Sequence, residues 1–502
     1  MTPTSVRFLI GFLALVVAAL RLLGENTPPV PGWGLGPLLK HPVPVRSPAS
    51  DSTGSGDAFA RAKAELHRAV QEERVAGGAH LVVRDGKTLY AEAAGFGDIE
   101  ERTPFTADSI LRIYSMSKPI TSVAAMMLFE QGKFGLDDPV ARFIPAFTNA
   151  TVLETVDGKP RQVPPKRPIT VRDVLRHTTG CSYGDEPSVR AFYEREGLRY
   201  WGPQELFPPK MTVAQAADAL ARVPALHHPG TKFTYGFNTD LLGRLIEIWS
   251  GDSLDRYLQR ALFEPLEMAD TGFAVPREKR ARFTSCHIVR EGKLAVLDPA
   301  PSSPFNDGFE FLSGGGGLVS TVRDYANFCQ MLVEGGKFEG RRLLKEETLR
   351  LMFEDQLHGV DGGNRFGLGF AIEDVTLGSG EGRREATGYR WGGYASTQFA
   401  VVPEEKLFQI FALQQLPYTE ELAKRQFGIV NAALPPRAAS IESAHWNQFR
   451  GPNGQGVAPA AQVPLHFGPE SNVWWKLTMG CFLTRSSHGN SPVPPSLRAG
   501  TG

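Results

Sequence analysis

Cysteine is scarce and scattered in this chain. Among 502 residues there are four, Cys181, Cys286, Cys329 and Cys481. Spacing that wide excludes a disulfide framework. With no Cys-x-x-Cys pair, it also excludes a zinc ribbon and a thioredoxin-like redox site. Net charge is missing too: 54 Lys+Arg balance 54 Asp+Glu, without the basic excess of a nucleic-acid binder. No HExxH motif occurs, and His227-His228 lacks the i,i+4 spacing of a helical metal site. Glycines 314 to 317 are not followed by Lys-Ser/Thr, which excludes a phosphate-cradling loop and leaves them as a tight wall ahead of Thr321.

The apolar run Phe8 to Leu20 falls short of the roughly 20 residues that span a bilayer. Between Arg7 and Arg21 it fits the apolar region of a secretory signal. With Leu22 and Leu23 extending it, the same segment reads as an uncleaved anchor. Either reading of residues 1–23 puts the body of the protein outside the cytoplasm, periplasmic or extracellular, and on the second reading this segment is its membrane attachment.

Glycine and proline, by contrast, are slightly abundant, 53 and 38 residues, and they cluster. Residues 24–58 form a Pro/Gly-rich linker with nothing to pack. A catalytic unit then occupies 59–435, a large single domain by usual sizes. Phe59, Ala62, Leu66, Ala69 and Val70 recur at helical spacing. Leu81 to Tyr90 reads as two strands around Asp85-Gly86. Further helices follow the Thr170–Asp173 capping box, span Leu241 to Trp249 before Gly251, and open at Thr321 with Asp324. Thr397 to Val402 and Leu407 to Leu413 form a second hairpin across Pro403-Glu404-Glu405. Strands at both ends with helices between predict one sheet assembled from the two chain ends.

The strongest chemical signal is Tyr114-Ser115-Met116-Ser117-Lys118-Pro119. Proline is tolerated only in a helix's first turn, so Pro119 fixes a helix start near Ser115. That places Ser115 at the positive end of the helix dipole, with Lys118 one turn along on the same face. A serine hydroxyl becomes a nucleophile when a neighbour takes its proton, and a partly desolvated lysine can assist. Gly180-Cys181-Ser182-Tyr183-Gly184 also matches GxSxG. That motif requires a preceding strand, and here a helix precedes it, so Ser182 is set aside as a turn residue.

Around Ser115 and Lys118 the chain resembles class C serine β-lactamases, related penicillin-binding proteins and family VIII carboxylesterases. The resemblance runs from about Phe59 to Leu434. It takes in Leu136-Asp137-Asp138-Pro139-Val140, the stretch from Thr170 to Gly180 and the stretch from Ser313 to Thr321. It implies an α/β (α+β) fold of the β-lactamase/transpeptidase type: an antiparallel sheet from both chain ends, helices on its faces, and an all-helical inserted region. Pro229 to Tyr235 ahead of Leu241-Leu242-Gly243 nominates Tyr235 as general base or proton relay, and either Tyr235 or Lys118 can take the proton. Where β-lactamases place Asn two residues after that tyrosine, this chain has Phe237, and Asn238 comes one step later.

In place of the Lys-Thr-Gly or His-Thr-Gly motif stands Trp391-Gly392-Gly393, similar to the esterase branch. The resemblance therefore implies substrate contacts at Trp391, Gly392, Gly393 and Phe237, and an oxyanion hole from the backbone N–H groups of Ser115 and Tyr394. No metal or cofactor is implied. Replacing the motif's cation by Trp391 removes a partner for a substrate carboxylate. Arg390 does not replace it, because neighbouring strand residues face opposite ways. The expected activity is hydrolysis of small carboxylic esters through an acyl-serine. A β-lactamase or D-Ala-D-Ala carboxypeptidase acting on peptide-like substrates is the alternative, and a non-catalytic peptidoglycan-binding or sensor protein a second.

After Pro435-Pro436, residues 440–502 change character. Trp446 to Gly456 and Asn472 to Lys476 resemble the opening of a quinoprotein-type β-propeller. Too few residues follow for more than one blade of about 40, which predicts a truncated segment and a disordered tail.

Overall fold

A computed structural model of the chain describes residues 55–198, 209–362 and 364–437. The N-terminal run, most of the linker and the tail lie outside the described residues. Helix α1 (Ser55–Gln71) starts inside the stretch read as linker, with Asp57 in its first turn, where a negative side chain complements the helix dipole. Ala58, Ala62, Leu66 and Ala69 are fully buried along one side of it.

Strands β1 (Gly77–Arg84) and β2 (Lys87–Asp98) pair antiparallel across Asp85-Gly86. Both turn residues have positive φ, 50° and 68°, the requirement of a two-residue hairpin turn whose twist matches its strands. Strand β3 (Thr103–Pro104) closes this edge. The other half of the sheet comes from the far end of the chain: β4 (Ala371–Leu377), β5 (Arg384–Gly393), β6 (Thr397–Val402) and β7 (Leu407–Ala412). The strand order is β4-β5-β6-β7-β1-β2-β3. The two chain ends are sewn together by β1 and β7, in register from Ala79 opposite Ala412 to Arg84 opposite Leu407.

Alternation along β1 sends its side chains to two cores. Ala79, Leu81 and Val83 join the large core formed with α2 (Ser117–Glu130), α4 (Asn238–Ser250) and α5 (Val322–Val333). His80 turns the other way, bonding Gln426 on α6 (Glu421–Asn431) and Gln409 on β7. On that face Leu66 and Ala69 of α1 pack with Leu422 and Ala423 of α6 over Phe411.

The connections follow the sequence cues. Thr170 caps the short helix α3 (Val171–Leu175) in a reciprocal box with Asp173, Thr321 caps α5, and Gly251 ends α4 at φ 76°. One expectation needs correction: the inserted region is not all helical. It carries the hairpin Val152–Val156 with Lys159–Val163, turning at Asp157-Gly158 with φ of 52° and 72°. This Asp-Gly signal is the same one that marks β1–β2. The strands Cys286–Arg290 and Lys293–Asp298 also pair there, joined by Gln415–Leu416. Among the described residues no helix is long and apolar enough to cross a membrane.

Candidate active site

Helix α2 begins at Ser117, and the segment Tyr114–Met116 ahead of it is a single tight 3-10 turn. Ser115 therefore lies on the turn that feeds the helix, with Pro119 in the helix's first turn. Tyr114 holds φ at 41°, a left-handed conformation that costs a bulky residue on the order of 1–3 kcal/mol. Burial offsets this: Tyr114 is 1% exposed and packs edge-on against Phe305 at 6.1 Å and Tyr394 at 6.0 Å. With Tyr114 and Met116 anchored in the interior, Ser115 between them stays partly open.

Three side chains converge on the serine hydroxyl and its neighbour. Tyr235 Oη donates to Ser115 Oγ at 2.7 Å, and Lys118 Nζ donates to the same oxygen at 3.1 Å. Lys118 also donates to Tyr183 Oη at 3.0 Å and to Gly315 O at 2.6 Å. An ammonium has three N–H bonds, so each finds an acceptor. Its nitrogen lies 4.5 Å from the centre of the Tyr235 ring, within the range of a cation–π attraction.

Tyr183 escaped the sequence reading. Its signal was present inside Gly180-Cys181-Ser182-Tyr183-Gly184, which drew attention for its serine instead. That serine is 1% exposed, its N–H donates to Tyr193 Oη at 3.0 Å, and its Oγ accepts from Gly184 N–H at 3.0 Å. Ser182 lies in an irregular segment, and the residue beside it reaches the site.

Behind Tyr235 stands His177, with ring centres 5.2 Å apart. Burial pushes the His177 imidazole down to about 3, and the charge of Lys118 adds to the effect. It is therefore a neutral support. Its carbonyl also takes a 2.7 Å bond from Thr234 N–H, fixing the residue before Tyr235. His228 pairs with Glu154 at 2.6 Å, and His227 bonds Thr234 Oγ1 at 2.8 Å. Among the described residues, no group of His, Cys, Asp or Glu is arranged to hold a metal ion.

Strand β5 forms the facing wall. Trp391 lies 5.5 Å from Tyr235 and 5.4 Å from Phe366, ring to ring. Arg390 turns away and pairs with Glu373 at 2.6 Å and Glu420 at 3.7 Å, so no strand cation reaches the cleft from this position. The glycines answer to protein neighbours. A Cβ on Gly393 would come within 2.2 Å of Ile113 O, and one on Gly392 within 3.0 Å of Tyr418 Oη. Gly393 thus lets β5 close onto the segment leading to Ser115, and Tyr394 follows it against Tyr114.

Phe237 requires correction. It is fully enclosed, 0% exposed, and packs on Tyr183 at 5.2 Å and Tyr193 at 6.1 Å. Its ring supports Tyr183 from behind and does not line the cleft. Asn238 is equally enclosed and is committed to Thr179, Thr234 O and Cys181 O.

A partly open serine, bonded by a lysine in the first turn of the helix that follows it and by Tyr235, lies on a β-lactamase/transpeptidase fold. Comparison with known proteins agrees. The beta-lactamase family matches residues 62–434, and the chain belongs to that family as a serine hydrolase or acyltransferase. It is 27% identical over 366 residues to esterase EstB of Burkholderia gladioli, covering 69% of this chain and 88% of that protein. It is 28% identical over 389 residues to the acyltransferase calJ of Penicillium decumbens, covering 70% and 88%. In fold it resembles EstCE1, with a TM-score of 0.63 and 24% identity over 76% of this chain and all of that one.

Proposed function

We propose that this chain hydrolyses small neutral carboxylic esters through an acyl-serine at Ser115. The observation that carries the reading is the position of Ser115 Oγ between Tyr235 and Lys118, beside a wall that offers Trp391 where peptidases of this fold offer a cation. Lys118 has all three N–H bonds directed at acceptors, which suits it to remain the cation and leaves Tyr235 to move the proton.

In this scheme Tyr235 reacts as the phenolate, so that the 2.7 Å contact runs from the Ser115 O–H to the phenol oxygen, and the Ser115 proton passes to it as Oγ bonds to the ester carbonyl carbon. The carbonyl π pair moves onto oxygen, where the backbone N–H groups of Ser115 and Tyr394 stabilise it. Such a donor typically contributes about 2.7–4 kcal/mol. Collapse breaks the bond to the alkoxy oxygen, which leaves as the alcohol with the proton from Tyr235. Water then adds to the acyl carbon, giving its proton to the same phenol oxygen. The Ser115–acyl bond breaks, Oγ recovers that proton, and the carboxylic acid is released.

A second reading is favoured by the similarity to calJ, an acyltransferase: an alcohol replaces water as acyl acceptor. The β-lactamase alternative is disfavoured by the interior positions of Phe237 and Asn238, which leave no amide side chain there to hold a substrate amide. The segment before Gly24 supports placing the reaction outside the cytoplasm, and N-terminal sequencing of exported protein tests it. Turnover of p-nitrophenyl acetate against a chromogenic cephalosporin, with and without an added alcohol, tests the activity. Efficient cephalosporin turnover with no ester cleavage overturns the reading.

A further inference from the structure

Lys118 is 1% exposed, and its hydrogen-bond acceptors are a serine, a tyrosine and a glycine carbonyl. None is a carboxylate. An enclosed ammonium without a compensating charge is costly. In the first turn of α4, on the segment that carries Tyr235, lies Asp240, also 1% exposed. Its Oδ1 accepts from Ser313 Oγ and from Gly315 N–H at 3.1 Å. Its Oδ2 has no hydrogen-bond partner and lies 2.7 Å from where a Cβ on Gly315 would be. The same glycine's carbonyl takes the 2.6 Å bond from Lys118. Asp240 and Lys118 thus sit on two sides of one residue.

The rest of the loop is fixed from the α2 side. Thr121 Oγ1 donates to Gly314 O at 2.8 Å, and Leu318 N–H donates to Ser117 Oγ at 3.2 Å. The carboxyl group on this loop comes from the α4 side. Burial pushes the Asp240 carboxyl above its ordinary range, and the nearby Lys118 charge pulls it back. The other titratable groups beside Lys118 are Tyr183, Tyr235 and the neutral His177, and Asp240 is the carboxyl group electrostatically coupled to it.

We infer that Asp240 is a positioning residue for this centre: a counter-ion to Lys118 held one glycine away, which fixes Gly315 so that the ammonium stays directed at Ser115. The inference rests on the acyl-serine reading and extends it to a residue that touches no substrate. It also gives Gly315 a reason, since any side chain there would displace the carboxylate.

The test uses the full chain as wild type, Asp240→Asn, Lys118→Met and the double variant. Asp240→Asn keeps the shape and an acceptor while removing the charge. On a p-nitrophenyl ester, kcat is expected to fall about tenfold or more with KM within about threefold, the pattern of an interaction needed in the transition state. The alkaline limb of the kcat/KM profile is expected to move to lower pH, because the ammonium loses its buried anion; a purely structural defect would not move it. Thermal melting supplies an independent readout. Lys118→Met strands the buried carboxylate, and the double variant is expected to melt above Lys118→Met. If Asp240→Asn does not fold, the double variant decides, a folded one supporting the inference and an unfolded one overturning it. Wild-type kcat and pH profile in Asp240→Asn, or melting losses that simply add in the double variant, overturn it. If wild type cleaves no ester and Ser115 takes no fluorophosphonate label, the acyl-serine reading fails, while the melting comparison still reports the Lys118–Asp240 coupling.

Discussion

Tyr183 Oη lies 3.0 Å from Lys118 Nζ, so the lysine is shared between the serine and a second phenol. Phe237, enclosed behind Tyr183, holds that phenol in place. Tyr183→Phe removes one of the three acceptors and frees Lys118 to swing from Ser115. Steady-state kinetics on p-nitrophenyl butyrate are expected to show a loss of about tenfold in kcat, against a loss of about 10²–10⁴-fold for Tyr235→Phe, the range typical of a proton-transfer group. Equal losses would show that the two phenols share one role.

Substitution at Trp391 tests substrate charge. Trp391→Lys places a cation on the cleft face of β5, opposite in direction to Arg390. Hydrolysis of an ester with a free carboxylate is expected to gain severalfold in kcat/KM relative to its neutral analogue, in line with about 0.2–1 kcal/mol for a solvated ion pair. An unchanged ratio of the two substrates contradicts the assignment of Trp391 to the cleft wall.

Gly393→Ala tests the reason for the glycine. A Cβ there would meet Ile113 O at 2.2 Å, so β5 must back away from the turn that carries Ser115. Overpacking of this kind typically costs about 1–3 kcal/mol. Thermal melting is expected to show that loss, together with loss of esterase activity larger than for a distant substitution of equal stability cost. Retained stability and activity would mean that the contact relaxes without moving Ser115.

Two buried histidines contribute to the acid limit of the fold. Burial brings the His80 imidazole down to about 4 and the His177 imidazole to about 3, against hydrogen bonds to Gln426 and Gln409 in the first case. Both are neutral when folded, and on unfolding each binds a proton below its ordinary value of about 6.5. The unfolded chain therefore holds more protons, and stability contributed above about pH 6.5 is lost as pH falls toward 4. The slope is about 1.4 kcal/mol per pH unit for each histidine. Denaturant titrations from pH 7 to 4.5 read this slope, and His80→Gln is expected to flatten it by one proton. An unchanged slope in that variant means that His80 is not the titrating group.

Much of this was legible in the sequence because the signals are local. Asp85-Gly86, the Thr170–Asp173 box, Gly251 and Pro119 each report a backbone requirement within a turn of themselves, and the structure meets each one. The order of elements, strands at both ends with helices between, predicts the pairing of chain ends that β1 and β7 make. What the sequence leaves out is tertiary. Phe237 occupies a position that faces substrate in relatives with Asn there, but a phenylalanine gains more by burial, and here it turns inward against Tyr193. Tyr183 reaches Lys118 through a loop whose path no periodicity encodes. A glycine in a strand signals a close neighbour without naming it, and at Gly393 one such neighbour is Ile113.

The central claim is that Ser115 carries the acyl group. Rapid quenching of the enzyme with p-nitrophenyl acetate, followed by peptide mass spectrometry, measures this directly. The account predicts an acetyl adduct on the peptide containing Ser115, formed with a burst of p-nitrophenol and absent in Ser115→Ala. An adduct on Ser182, or a burst that survives in Ser115→Ala, would contradict it.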